Sequence, residues 1–391
     1  MNYILFDDKQ LRENLKPLTF FRPIGEIRVG IMTIRQKWEH YLKTQTSTLS
    51  EKYLEAKFPL HREIDNIFIN SSVLPNKELV DRIKKLKKGE TLISGNILVA
   101  LYAFDQWFED EKVGDDAVEN ELEMEVEIIA NTYDIFLKNA EQIAADFELI
   151  TKGRKSEVLD ETNAIIGDGK LFIEKGANIH HTIFNTTDGP IYIGKDAQVM
   201  EGSLIRGPFA MNEHAVVKMH AKIYGGCTIG PYSKVAGELS NVVIFGYSNK
   251  GHDGFLGNSV VAEWCNFGAG SNNSNLKNDY GDIKLWNYAA SSFVSTGLQF
   301  CGLIMGDHSK CAIGTTFNTG TVVGVNANIF GAGFPRNFIP SFSWGGTTDY
   351  KLRKAMKVAE IVYGRRDVAF DAVEKGIFEH VYNLTSSDNY L

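Results

Sequence analysis

His252 is the residue whose type and setting best fit proton transfer. It lies between glycines in the segment GYSNKGHDGFLGN, residues 246–258. Neutral imidazole, with an unperturbed pKa of about 6.5, can take a proton from an ammonium group near neutral pH and so free a nitrogen lone pair for attack. General-base chemistry at His252 is therefore one interpretation of the segment. The alternative is a solvated loop histidine between glycines.

A second polar segment, GAGSNNSNLKNDYGDIK, follows at residues 268–284. The amide of its Asn275 could bind an acyl or amino group, although Asn is also common at corners with a left-handed backbone. Both segments interrupt a regular repeat. Because function concentrates where regular structure is broken, we expect the chemistry of this protein at these two segments.

The repeat has a period of six residues. Between Gly167 and Gly333 lie 26 of the 36 glycines, so this half of the chain differs in composition from the first. Apolar residues recur every six positions, and small residues follow four places later; the apolar positions are Ile193, Val199 and Ile205, then Val217, Ile223, Ile229 and Val235, and finally Met305, Cys311, Phe317, Val323 and Ile329. This period fits short parallel strands joined by tight corners better than an antiparallel sandwich. We predict a parallel β-helix over residues 158–340.

The composition limits the class of protein. A chain of 391 residues favours two domains. The net charge of −8, without a long basic run, argues against nucleic acid or an anionic membrane as the main partner. No run approaches the ~18 apolar residues of a membrane span, and charged Asp7, Asp8 and Lys9 stand where a signal peptide is apolar. We expect a soluble cytoplasmic protein whose four cysteines, which form no CxxC pair, are reduced.

The first half begins like a nucleotide-binding α/β unit. An apolar strand, YILFDD, is followed by a loop that contains Arg12, Lys16 and Arg22, and then by a helical pattern from about residue 29 to 42. We assign residues 1–115 to this α/β domain.

Two helical regions are predicted outside the α/β domain and the β-helix. Residues 117–148 are acidic and have apolar residues at helical spacing, so we assign 116–157 to a linker helix. Helical periodicity returns at 348–383, and we assign 341–391 to helices that cap the open end of the β-helix.

The segment KGHDGFLGN resembles the KAGHxxYLGD motif of one family, the bifunctional enzymes that make UDP-N-acetylglucosamine. These enzymes join an N-acetylglucosamine-1-phosphate uridylyltransferase to a glucosamine-1-phosphate N-acetyltransferase. The resemblance implies that His252 is catalytic and that Phe255 replaces a sugar-binding tyrosine. It also implies an acetyl-CoA or acetyl site at Asn275, at Ser295 in FVSTGLQ, and at the backbone amide of Ile313 in CAIGTT. The three segments keep the order that they have in the family.

The family also implies basic residues that hold the sugar phosphate. Arg206 in SLIRGP resembles an Arg-Pro-Gly segment of the family, and Lys218, Lys222 and Lys250 are possible substitutes for its basic residues. Ser240 stands where the family has a lysine, which leaves the acceptor sugar less well defined than the transfer.

The loop of the first half resembles a sugar nucleotidyltransferase signature. KPL at residues 16–18 is similar to its PKxL element, and RPI at 22–24 to its GxP element. The resemblance implies nucleotide binding by Arg12, Lys16 and Arg22, with UTP and Mg²⁺ as ligands.

The signature is incomplete in two places. Asp7 and Asp8 stand where glycine N–H groups should bind a triphosphate, and Ser71 and Ser72 replace the aspartate that binds magnesium in the family. The chain therefore resembles a divergent member with a shortened nucleotidyltransferase-like domain.

The resemblance implies an acetyl-CoA-dependent N-acetyltransferase that acts on an amino-sugar phosphate, with glucosamine-1-phosphate as first candidate, and a coupled nucleotidyl transfer that gives UDP-N-acetylglucosamine. It implies a left-handed coil and a homotrimer as well. The alternative is a non-catalytic hexapeptide scaffold, or a sugar-nucleotide-binding regulatory protein with a degenerate nucleotidyltransferase domain.

Overall fold

The computed structural model describes residues 1–103 and 118–387, which fall into two compact units. The first comprises Met1–Leu15, Thr19–Ile27 and Met32–Asn131. The second comprises Lys16–Leu18, Arg28–Ile31 and Thr132–Leu391. The predicted boundary at residues 115 and 116 lies outside the described part of the chain.

The described residues of the first unit form a six-stranded mixed sheet with three helices. Its strands are β1 (Asn2–Phe6), β2 (Ser47–Leu49), β3 (Asn66–Asn70), β4 (Glu90–Ser94), β5 (Ile97–Ala103) and β6 (Val118–Glu121), and its helices are α1 (Lys9–Asn14), α2 (Ile34–Leu42) and α3 (Lys77–Ile83), with 3-10 turns at Ile24–Glu26 and Lys52–Leu54. The strand order is β2-β1-β3-β5-β4-β6. β1 runs parallel to both neighbours, and its nearly continuous apolar sequence is typical of a parallel strand buried on both faces.

The acidic segment after residue 117 is not a helix over its first half, so this part of the prediction was wrong. Residues 118–121 form β6, which pairs with β4 in parallel, and Leu74 N donates to the carbonyl of Glu127. In residues 121–128 glutamates alternate with Leu122, Met124, Val126 and Ile128. An alternation of two is the period of an extended strand, and it outweighs the helical spacing that we assigned.

The second unit is a parallel β-solenoid with three helices. The helices are α4 (Asp134–Thr151), α5 (Leu352–Gly364) and α6 (Ala372–Ser387). In chain order its strands are β7 (Ala164–Ile166), β8 (Leu171–Ile173), β9 (Asn178–Ile179), β10 (Ile183–Asn185), β11 (Ile191–Ile193), β12 (Gln198–Val199), β13 (Leu204–Arg206), β14 (Phe209–Met211), β15 (Val216–Val217), β16 (Lys222–Ile223), β17 (Cys227–Ile229), β18 (Lys234–Val235), β19 (Glu238–Ile244), β20 (Asn249–Lys250), β21 (Phe255–Val261), β22 (Asn266–Phe267), β23 (Asn272–Asn273), β24 (Lys284–Asn287), β25 (Ser292–Ser295), β26 (Leu303–Met305), β27 (Lys310–Cys311), β28 (Thr316–Phe317), β29 (Thr321–Val323), β30 (Asn328–Ile329), β31 (Phe338–Ile339), β32 (Ser343–Trp344) and β33 (Thr348–Asp349).

The coils of the solenoid stack in register, as the period of six predicts. One face follows the order β9-β12-β15-β18-β20-β22-β27-β30-β32, and we call it the third face because its strands come third in each coil. Along it, Val199 pairs with Val217 and Val217 with Val235. These side chains belong to one continuous buried core. The predicted fold class, an α/β domain followed by a parallel β-helix and C-terminal helices, is confirmed.

The solenoid is interrupted once by a long excursion. β23 and β26 are separated by residues 274–302, which include the antiparallel hairpin of β24 and β25. The excursion contains the polar segment around Asn275 and the exposed Ser295.

α4 packs against the solenoid with buried polar anchors. Its Asn139 accepts from Gly30 N (2.7 Å) and donates to the carbonyl of Gly226 (2.8 Å). Its Asp146 accepts from Ile31 N (2.8 Å). Buried polar groups are costly unless paired, and these bonds explain why α4 can lie against the coils with both side chains buried.

Aromatic side chains stack along one corner of the solenoid. His214, Tyr232, Tyr247 and Trp264 have ring separations of 4.6, 5.2 and 4.3 Å. All four have positive φ angles between 52° and 63°, a conformation that costs about 1–2 kcal/mol for a residue with a side chain. Each stacked pair returns about 0.5–1.5 kcal/mol. We call this column the aromatic ladder.

α5 and α6 pack along this corner. Tyr363 of α5 stacks on Trp264 at 4.0 Å and lies 5.9 Å from the ring of His308. Phe378 of α6 also meets His308, and Tyr382 meets Phe342. The helices therefore cover a side of several successive coils. We predicted that they cap the open end of the β-helix; their aromatic contacts lie along the corner of its last coils.

Arg12 holds the loop of the first unit together from inside. Its side chain is 3% exposed, and its guanidinium donates to Asp7 Oδ2 (2.8 Å) and to the carbonyls of Thr19 and Arg22. Asp7 also accepts from the backbone N of Ile24 (3.0 Å). Burial lowers the pKa of Arg12, but Asp7 and Tyr53 more than offset this, and the net pKa is raised.

We predict that Arg12→Ala lowers the free energy of unfolding of the first unit by about 3–5 kcal/mol, because it leaves the Asp7 carboxylate buried without its cation. Urea unfolding followed by tyrosine and tryptophan fluorescence measures this change. Lys77→Ala, which removes an exposed ion pair with Asp81, is the control and should cost less than about 1 kcal/mol. Equal losses in the two variants would show that Arg12 has no such structural role.

Candidate functional site

A basic groove lies between the third face of the solenoid and the end of α5. It has a volume of about 670 Å³, and one wall consists of outward-facing residues of successive coils. Lys234, Asn249, Asn266 and Lys310 are in register along this wall. The stacking of the coils therefore converts single polar residues, many positions apart in sequence, into one continuous surface.

Five cations line this groove. They are Lys218, Lys234, Lys310, Arg365 and Arg366. None of the lining residues that the structure describes is Asp or Glu. A concave surface with one sign of charge concentrates ligands of the opposite charge, so the arrangement fits a polyanion.

The cations of the groove lie close enough to disfavour each other's charge. The pKa of Lys234 is lowered by burial and by Arg366, Lys218 and Arg365. The pKa of Lys310 is lowered to about 8, chiefly by burial, and its Nζ donates to the carbonyl of His308 (2.7 Å). A bound anion would relieve this repulsion.

His252 and Ile313 line the same groove, as two of the predicted site residues. His252 lies on the corner between β20 and β21 and is exposed. Ile313, 78% exposed, follows β27 one coil away from Gly268. Cys265 is also a lining residue, but it is a buried free thiol whose pKa burial raises. His252 is the histidine among the lining residues of the groove.

Phe255 and Asn275 form a second cluster over Gly257. A Cβ on Gly257 would lie 2.4 Å from Phe255 Cζ and 2.9 Å from Asn275 Nδ2. Asn275 also donates to Asn258 Oδ1 (2.7 Å). These two predicted residues are therefore neighbours, but they do not line the groove of His252.

Ser295 lies in the hairpin of the excursion. It pairs with Lys284 across that hairpin, and its Oγ accepts from Gly297 N (3.4 Å). It does not line the groove either. The four residues predicted for acetyl transfer and the predicted sugar-binding Phe255 thus occupy three places on the chain.

Two predicted sugar-phosphate residues are engaged elsewhere. Lys250 is 2% exposed and its Nζ donates to backbone carbonyls inside the coil, so its assignment to a phosphate was wrong. Arg206 forms an ion pair with Asp188 (3.1 Å). Because both of these side chains are half-exposed, the pair contributes little stability.

The predicted nucleotide residues of the first half do not form an open phosphate site. Arg12 is committed to Asp7, and Arg22 is buried as well, so direct contact of either with a nucleotide does not fit. A structural role as described above replaces that prediction for Arg12. Lys16 is half-buried.

The position of the predicted magnesium site has no carboxylate. Asn70 Oδ1 accepts from the N and Oγ of Ser72, and Ser71 Oγ donates to the carbonyl of Phe6. In residues 1–103 and 118–387 no three His, Cys, Asp or Glu side chains come together as metal ligands. Mg²⁺ prefers carboxylate oxygens, and neither Ser71 nor Ser72 supplies one at this position.

The sequence argument missed most of the groove. Lys234, Lys310, Arg365 and Arg366 were not predicted as site residues, although Lys234 and Lys310 occupy outward positions of the repeat. That position was the available signal. Arg365 and Arg366 gave none, because only the docking of α5 brings them to the coil. None of the described helices combines the length and apolar character needed to cross a membrane.

Comparison with known proteins finds two similarities. Residues 3–155 match the family model of sugar nucleotidyl transferases. A stretch of 165 residues is 29% identical to the bifunctional sugar-1-phosphate nucleotidylyltransferase/acetyltransferase of Sulfurisphaera tokodaii, and the match covers 42% of this chain and 40% of that relative. The family model and this relative support the relationship suggested by the sequence motifs, to the bifunctional enzymes that join a sugar nucleotidyltransferase to a hexapeptide-repeat acetyltransferase.

Proposed function

We propose that the solenoid transfers an acetyl group from acetyl-CoA to the amino group of a sugar phosphate, with His252 as general base. The observation that carries this proposal is that His252 lines a groove with five cations and no carboxylate among its lining residues. The groove and the base are formed by one chain. The name of the relative, a sugar-1-phosphate nucleotidylyltransferase/acetyltransferase, supports the class of reaction.

Acetyl-CoA fits the groove in charge and size. Its pyrophosphate and ribose phosphate are anionic, and charge-assisted hydrogen bonds from Lys and Arg are the strong ones in proteins. A volume of about 670 Å³ falls within the range of ~300–1,000 Å³ of small-molecule sites. Cofactor phosphates near Arg365 and Arg366 would leave the pantetheine arm free to run toward His252.

The reaction needs one proton acceptor and one proton donor. The imidazole of His252 takes a proton from the ammonium group of the amino sugar, and the freed nitrogen attacks the thioester carbonyl. A C–N bond forms, and the tetrahedral intermediate then breaks its C–S bond. The imidazolium returns its proton to the leaving thiolate, and the attacking nitrogen releases its second proton to solvent as the neutral amide forms. The backbone N–H of Ile313 is our candidate donor to the oxyanion.

The acceptor is an amino-sugar phosphate, with glucosamine-1-phosphate as the first to test, and a homotrimer is the assembly that the sequence resemblance implies. The alternative class is a non-catalytic scaffold that kept the fold. An imidazole in a basic groove favours the enzyme, because a scaffold needs neither the base nor the uncompensated cations.

We predict that His252→Gln lowers kcat for thiol release from acetyl-CoA by about 10²–10⁴-fold, the usual contribution of a general base. The assay contains acetyl-CoA, glucosamine-1-phosphate and a thiol reagent. His180→Gln is the matched control, since His180 is an exposed solenoid histidine outside the groove, and it should keep full activity. Full activity in His252→Gln would remove the base assignment.

We predict that the double variant Arg365→Ala/Arg366→Ala weakens CoA binding by about tenfold or more, because a hydrogen bond to a charged group contributes about 1.5–3 kcal/mol. Calorimetric titration with CoA measures the Kd. Arg353→Ala/Lys354→Ala removes the same charge from exposed positions at the start of α5 and should leave the Kd unchanged. An unchanged Kd in the first variant would place the phosphates elsewhere.

A second activity, nucleotidyl transfer, is favoured by the family match of residues 3–155. Two observations argue against nucleotidyl transfer. Arg12 and Arg22 are buried, and serines stand at the end of β3. We therefore expect no pyrophosphate when the protein is incubated with UTP, N-acetylglucosamine-1-phosphate and Mg²⁺. Steady pyrophosphate release, measured with a coupled enzyme assay, would show that this unit is catalytic.

A further inference from the structure

Lys250 occupies a position that the repeat reserves for apolar residues. It pairs with Val235, which continues the inward column of Val199 and Val217. Its side chain is 2% exposed. An ammonium group inside an apolar coil is costly, and residues that break a local rule tend to mark functional or strained sites.

The ammonium of Lys250 is bonded to the corner that carries His252. Its Nζ donates to the carbonyl of His252 (2.7 Å) and, at 3.4 Å, to that of Ala236 on the preceding coil. The last two residues of the corner are bonded to the neighbouring coils: Gly270 N donates to the carbonyl of Asp253, and Glu238 N donates to that of Gly254. Lys250 is therefore an anchor from the interior of the coil.

The corner has little rigidity of its own. Two of its four residues, Gly251 and Gly254, are glycines, and glycine loses the most conformational freedom on ordering. Gly254 has φ of 126°, a conformation that other residues rarely adopt. A catalytic side chain on such a corner needs an external restraint to stay in one place.

We propose that Lys250 is a positioning residue, which holds the backbone of His252 from inside the coil and so keeps the imidazole directed at the groove. The catalytic consequence rests on the proposed function of His252. The anchoring itself does not, and it can be measured separately.

The charge of Lys250 lowers the stability of the folded protein. This effect distinguishes a positioning role from a purely stabilising one. Burial lowers its pKa to about 8, and Asp253 and Cys311 oppose this shift. The folded state thus binds this proton less tightly than the unfolded state does. The charged lysine therefore destabilises the fold fully below about pH 8, and this effect disappears as the pH rises toward the ordinary lysine pKa of about 10.4.

The test compares Lys250→Met with Val217→Met, which alters the same inward column two coils away. At pH 7 we expect Lys250→Met to raise the melting temperature by about 2–4 °C. We expect faster hydrogen exchange at the amides of 251–254 and a fall in kcat of about tenfold or more, since small misplacements can cost up to about 10²-fold. The KM for acetyl-CoA should stay within about twofold, because the groove cations are untouched.

Four results are decisive. Unchanged exchange at 251–254 in Lys250→Met overturns the anchor, whatever the activity. Faster exchange with unchanged kcat overturns the positioning role. Absence of thiol release in the wild-type protein defeats the proposed function, but faster exchange in Lys250→Met and not in Val217→Met would still support the anchor. A lower melting temperature in Lys250→Met would show a merely structural lysine.

Discussion

Hydrogen bonding between successive coils is the constraint on which the solenoid depends. Neighbouring strands lie about 4.8 Å apart, so residues at equivalent positions of the repeat stand above one another. A sequence period thereby becomes a column. The columns are of different kinds: an apolar one in the interior, an aromatic one at a corner, and a polar one on the third face. Side chains such as Lys234 and Lys310 come to line one groove only because the coils between them stack in register.

The sequence predicts the residues that recur at the same position in successive coils. The inward residues, such as Val217 and Val235, recur often enough to define the fold and its core. It predicts His252 as well, because a glycine-flanked histidine interrupts the rhythm at a point where the family motif can be matched. The residues that occur once and depend on distant partners are harder to assign. Arg12 and Lys250 look like ligands for anions in sequence, and only their burial shows that each bonds to the protein itself.

The remaining errors have a common physical origin. In the acidic segment near β6, apolar residues fit both a helical spacing and the alternation of a strand. The pairing of β6 with β4 decides for the strand. The basic groove needs a helix that follows the last coils, so no local pattern near His252 could indicate Arg366. Both depend on contacts between residues far apart in sequence, which composition and spacing do not encode. The same holds for Phe255 and Asn275, whose contact arises because β21 and the start of the excursion lie over Gly257.

The C-terminal helices dock on particular aromatic side chains at this corner of the solenoid. Tyr363 stacks on Trp264 and reaches His308, and these two residues stand on consecutive coils. A chain that gained or lost a whole coil ahead of the groove, between β9 and β15, would keep the contacts of Tyr363 with Trp264 and His308 and the register of α5. An insertion of one coil between β22 and β27 would separate Trp264 from His308 and draw Arg365 and Arg366 away from His252. The spacing of the coils is therefore fixed where the helices dock.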